Sequence, residues 1–189
     1  MRRGGVVVLA LVLVFGVAGV ARAAFVARAQ NVGNQFAAGT VSLSDDDAGA
    51  ALFALSGLVA GDAGVRCVEV GYGGTLAAAV KLYGDTYSTS LGLGAYLNLV
   101  IEEGSGATFA GSGPGSCPGF VAGATIYSGT VDDFAATHTG FGSGVGSFAP
   151  SAAGQSRVFR FSYTLDVAAP DTTASGTASL RFVWEAQNT

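Results

Sequence analysis

"VFRFSYTLDVAAPDTTASGTASLRFVWE", Val158 to Glu185, decides the fold class. In its first part Phe159, Phe161, Tyr163, Leu165 and Val167 alternate with Arg160, Ser162, Thr164 and Asp166. After the break "APDTTASG", Leu180, Phe182 and Trp184 alternate with Ser179, Arg181, Val183 and Glu185. A period of two puts successive side chains on opposite faces, which is the signature of a half-buried strand. The aromatic rows are therefore read as the inward, core faces of two strands rather than as an exposed stacking platform for carbohydrate.

The same period recurs upstream. Val41 and Leu43 alternate with Thr40, Ser42 and Ser44, and the run ends at the turn "DDDAG". Phe53, Leu55 and Leu58 lead into a second turn, "GDAG". In "VRCVEVGY" the residues Val68, Val70 and Tyr72 share a face, opposite Cys67 and Glu69; "LAAAVKLY" places Leu76, Ala78, Val80 and Leu82 on one face. With "GGT" between them these two segments are expected to form a hairpin. Leu97, Leu99 and Ile101 continue the pattern, and Glu102-Glu103 reads as a strand-end turn. Only "TVDDFAATH" departs from it: Thr130 three residues before Asp133, with Asp132 beside it, predicts one short capped helix. Seven to nine strands and one helix make an all-β chain, an antiparallel sandwich of jelly-roll or Greek-key type with one short helix.

Composition agrees with a Gly-rich-turn β domain: 30 of 189 residues are glycine and 12% are charged. The first residues read as an export signal. Arg2 and Arg3 precede an apolar run from Val6 to Val20, and Ala21-Arg22-Ala23 supplies the small-x-small pattern of a cleavage site. The run falls short of the roughly 20 residues that span a bilayer. Cleavage by signal peptidase between Ala23 and Ala24 is expected, giving residues 1–23 as the signal and 24–189 as a single domain, secreted and without a stable membrane anchor. The formal net charge of −4 then becomes −7. An acidic surface repels nucleic acid, which is excluded as a partner. Outside the cell, Cys67 and Cys117 are expected to pair, and their bond would hold the Gly-rich loop "GSGPGSCPGF" against the outside of the sheet.

No catalytic constellation emerges. The chain has no G-x-S-x-G elbow, no complete G-x-G-x-x-G and no H-E-x-x-H motif. His138, the single histidine, falls at the end of the expected helix, where its charge would suit the dipole. Asp45, Asp46 and Asp47 read as a solvated turn, with a weak cation site as the alternative; three consecutive carboxylates on an extended strand cannot converge on one ion. No cofactor is expected, and no residue is assigned a catalytic role.

One arrangement is more specific. The leader is followed at once by "AFVARAQ", in which Phe25, Ala27 and Ala29 share one face and Val26, Arg28 and Gln30 the other. Then come "GNQFAAGTVSLS", "AGDAGVRCVEVGYGGTLAAAVKLYG" and the closing "YTLDVAAPDTTASGTASLRFVWEAQN". In this order the chain resembles the TasA/camelysin family of secreted bacterial proteins, in the form seen in actinobacteria, with Gly33 to Leu43 carrying most of the likeness. The resemblance implies a jelly-roll subunit of extracellular biofilm-matrix fibres, polymerising with copies of itself at the cell surface. In such fibres the N-terminal strand, here Phe25 to Gln30, completes the sheet of the next subunit. The alternatives are a first strand paired within its own sandwich, a monomeric adhesion or glycan-binding module, and the metalloendopeptidase that the family's second name suggests. For the last, no residue of this chain offers a match.

Overall fold

The structure is a computed structural model describing residues 26–29, 40–111, 113 and 115–189. Among the described residues eight strands lie in two sheets. One has the order β1 (Val26–Ala29), β8 (Ala178–Asn188), β4 (Ala78–Thr89). The other runs β2 (Leu43–Asp45), β3 (Ala63–Tyr72), β7 (Gln155–Leu165), β5 (Leu97–Ser105), β6 (Val121–Thr130). Every ladder is antiparallel. The chain is thus an all-β antiparallel sandwich.

The core lies where the apolar rows of the two sheets meet. Phe159 and Phe161 from β7 pack on Trp184 and Phe182 from β8, with ring centroids 4.7–6.0 Å apart. Val68, Val70 and Tyr72 from β3 face Ala78, Val80 and Leu82 from β4 in the same cluster. Burying rows of this kind is the main favourable term, roughly 1.5–3 kcal/mol per large side chain.

The expected hairpin over Val65–Tyr83 does not exist: β3 and β4 belong to different sheets. Residues 73–77 cross the sandwich instead. Their entry is held by Gly73 N–H to Ser42 O and Thr75 N–H to Thr40 O, and the Tyr72 hydroxyl donates to Leu76 O. Five residues reach the roughly 10 Å between packed sheets. The crossing lets two fully apolar rows oppose each other rather than lie side by side. It also removes Leu76 from the inward row, leaving it exposed. β7 and β8 are likewise split between the sheets, and β7 stops at Leu165, so Val167 is 80% exposed rather than part of the core row.

The short helix α1 (Val131–Thr137) forms where its cap predicted: Thr130 Oγ1 accepts from Asp133 N–H at 3.2 Å, and Asp132 and Asp133 occupy the first turn. It closes one side of the sandwich with Phe134, fully buried against Tyr127 and Phe182. Next to it, the segment following α1 lies along the outer edge of β4. Ala78, Val80, Leu82 and Gly84 donate their N–H groups to the carbonyls of Pro150, Phe148, Val145 and His138. That edge is therefore satisfied without a regular strand.

Candidate functional site

Three places collect the residues singled out in the sequence. The first is the N-terminal strand. Four residues pair antiparallel with the end of β8 in the register Val26–Gln187, Ala27–Ala186, Arg28–Glu185 and Ala29–Trp184. Trp184 and Ala186 belong to the buried core, so Ala27 and Ala29 stand opposite the inward row of β8, as their alternation requires. Glu185, 2% exposed, lies on the other row. Its carboxylate accepts from the Tyr83 hydroxyl at 2.7 Å and from Gln187 Nε2 at 3.0 Å. In register it stands between Arg28 of β1 and Lys81 of β4. Within this single chain β1 is thus paired in cis. The signal residues 1–23, the cleavage pair Ala23–Ala24, and Phe25 and Gln30 lie outside the described residues.

The second place is the outer face of the five-stranded sheet. Cys67 and Cys117, expected to pair, are joined with their Cα atoms 5.6 Å apart. Cys67 is buried at 1% exposure with Ala107, Val158 and Phe120 around the bond. Beside it Arg160 holds Glu102, Nη2 to Oε2 at 2.5 Å, and lies 4.5 Å from the Phe120 ring centroid. The Gly-rich loop between β5 and β6 is fixed across this face.

The third place is the acidic triplet: the expected turn forms, closed by Ala50 N–H to Asp47 O at 3.0 Å, but its carboxylates are not all solvated. Asp45 is the last residue of β2, and Asp47 is buried. Asp46 accepts from two backbone donors, Glu69 N–H at 2.9 Å and Phe109 N–H at 2.6 Å. It therefore takes up the first edge donor of β3 beyond β2, and ties Phe109 to it. Asp47 Oδ1 accepts from Gly49 N–H at 2.8 Å. Burial, followed by the charge and hydrogen bond of Asp47, raises the Asp45 carboxyl to about 6. Asp46 and Asp47 thus bind backbone donors; among the described residues no group of three or more His, Cys, Asp or Glu is arranged to hold a metal.

Glu102 and Glu103 are also corrected. Both sit within β5, not at a turn. Glu103, 3% exposed, points inward and accepts from Ser147 N–H at 2.7 Å, Ser147 Oγ at 2.5 Å and Phe148 N–H at 3.2 Å. It holds in place the segment that covers the β4 edge, a role the sequence did not reveal because its partners lie 44 and 45 residues away. His138 caps α1: its N–H donates to Phe134 O at 2.9 Å and its Nδ1 lies 2.6 Å from Ser143 O. No nucleophile is paired with it among the described residues.

Among the described residues no helix is long and apolar enough to cross a membrane. No protein-family model matches the chain, and no curated protein matches it.

Proposed function

We propose that the protein is a secreted structural subunit of the TasA/camelysin kind, assembling at the cell surface into extracellular fibres by donating Phe25–Gln30 to the sheet of the next copy. The jelly-roll connectivity implied by that resemblance belongs to the same proposal. One observation carries it: β1 is a four-residue edge strand whose ladder is formed with β8 alone. Its ladder has four residue pairs, and each backbone hydrogen bond in it has a net contribution of about 0.5–1.5 kcal/mol. A strand of the same sequence from a second copy makes the same bonds in the same register, so exchange costs little beyond the loss of free translation. The ten residues between Ala29 and Thr40 bound the reach of a donated strand at roughly 35 Å of chain. Because each copy gives its strand to another and receives one from a third, the contact is heterologous and propagates as a filament.

The register supplies the test. In Val26→Cys/Gln187→Cys the new thiols stand opposite each other whichever copy supplies the strand. Oxidation under filament-forming conditions, followed by non-reducing electrophoresis, is expected to give a ladder of covalent multimers. A chain lacking residues 24–34 is expected to give no filaments by negative-stain microscopy. Filaments with only intrachain crosslinks, or unchanged filaments from the deletion, would sink the proposal.

A further inference from the structure

The outer face of the five-stranded sheet carries a depression of about 240 Å³ beside the disulfide. It is lined by Glu69 of β3, Ser156 and Val158 of β7, and Ser105, Ala107 and Thr108 where the chain leaves β5. Val158 and Ala107 are buried and pack with Cys67 and Cys117, so the floor is apolar and covalently fixed. The three hydroxyl residues on the rim are exposed.

The electrostatics of this depression are unbalanced. Within the described residues the Glu69 carboxylate has neither a cation nor a hydrogen-bond donor, although its own backbone N–H is bound by Asp46. Along β7, Arg157 lies over the Phe148 ring, 5.6 Å from its centroid, and Arg160 is already neutralised by Glu102 and stacked on Phe120. The side chains of Ser105, Thr108 and Ser156 likewise make no hydrogen bond among the described residues. A carboxylate and three hydroxyl oxygens above an apolar floor match one chemistry well. An alkylammonium presents three N–H donors on a compact charged head and an apolar stem that can lie on such a floor. The chain has a single lysine, Lys81, whose Nζ donates to Gly146 O at 2.6 Å. No lysine side chain of the same chain is therefore left to fill the depression.

We propose that this depression binds a primary alkylammonium group, with Glu69 as its counter-ion and the Ser105, Thr108 and Ser156 hydroxyls as additional acceptors. The same chemistry is offered by a free diamine and by a lysine side chain of a partner protein.

The test is a titration of the ¹⁵N-labelled protein followed by amide spectra, with 1,4-diaminobutane in one arm and Nα-acetyl-lysine N-methylamide in the other. Butane-1,4-diol is the uncharged control. Saturable shifts confined to Glu69, Ala107, Thr108, Ser156 and Val158 are expected with an amine and not with the diol. Binding of the diamine only identifies a free amine as the ligand; binding of both extends the site to lysine side chains. Glu69→Gln is expected to weaken binding about tenfold, the loss of one charge-assisted hydrogen bond. Ser156→Phe fills the depression while leaving Glu69 in place, and is expected to abolish it. Equal shifts with the diol, undiminished binding by either variant, or non-saturating shifts spread over the acidic surface would overturn the proposal. Binding is read on the individual subunit, so its outcome is independent of whether the subunits form fibres.

Discussion

β1 and β3 are both strands near the margin of a sheet, and they are held in opposite ways. β3 pairs with β7 along all ten of its residues and with β2 at its end. Asp46 accepts one further N–H of its edge, that of Glu69, and Cys67 ties it covalently to a loop fifty residues on. β1 has four backbone pairs to one neighbour. The difference is one of redundancy. Removing any single contact from β3 leaves others that keep it in register, whereas the backbone pairing of β1 is one short ladder. Only a strand of the second kind can be exchanged between copies without unfolding the domain, and that is why the assembly proposed above runs through β1.

The strongest way to break this comparison is to remove the covalent part of the β3 anchor. Replacing both Cys67 and Cys117 by Ser opens a loop of 50 residues, for which chain entropy gives about 4 kcal/mol of lost stability. Denaturant unfolding should register that loss, while the filament formation proposed above is expected to persist in folded protein. If stability is unchanged, the disulfide is not what makes β3 permanent.

β4 lies between these extremes and sharpens the contrast. Its outer edge is covered by irregular backbone, and Glu103 holds that backbone through the N–H groups of Ser147 and Phe148. Glu103→Ala strands those donors, at about 1–3 kcal/mol for each buried group left unsatisfied. The expected result is a loss of about 2–3 kcal/mol, together with faster hydrogen exchange at the Val80 and Leu82 amides, which donate to Phe148 and Val145. Unchanged exchange there would mean that the covering segment needs no internal carboxylate.

The sequence made some of this legible and not the rest, for physical reasons. Alternation in Phe159–Leu165 and Leu180–Trp184 reveals which face of a strand is buried, because period two is a property of the strand itself. It does not reveal the neighbour, so β3 and β4 read as a hairpin although they lie on opposite sides of the core. Nor does it mark where a strand stops, and so Leu76 and Val167 were counted inward. α1 was readable because its cap is local: Thr130 and Asp133 are three residues apart. Glu103, Asp46 and the β1–β8 pairing depend on partners tens of residues or more away, and single acidic residues carry no mark of what they will hold. Paired acids in a Gly-rich chain look like turns; the aspartates do stand in one, whereas Glu102 and Glu103 lie inside a strand.

The smallest effect concerns the short strand that completes β3. Asp45, at the end of β2, has its carboxyl raised from 3.8 to about 6, first by burial and then by the Asp47 charge and hydrogen bond. The folded state therefore binds this proton more tightly than the unfolded chain. Between the two values, stability falls as pH rises, and above about 6 the cost of the ionised carboxylate is carried in full. Asp45 is only partly buried, so solvent screening reduces that cost to on the order of 1 kcal/mol. Asp45→Asn removes the ionisation and keeps the shape. It is expected to raise the melting temperature by a few degrees at pH 7–8 and to leave it unchanged near pH 4. A gain of equal size at both pH values would assign the effect to packing, and a loss at pH 7 would mean that the charged form of Asp45 stabilises β2. With the gain confined to neutral pH, β2 is a strand held against its own charge, and the permanence of β3 rests on β7, the disulfide and Asp46 rather than on β2.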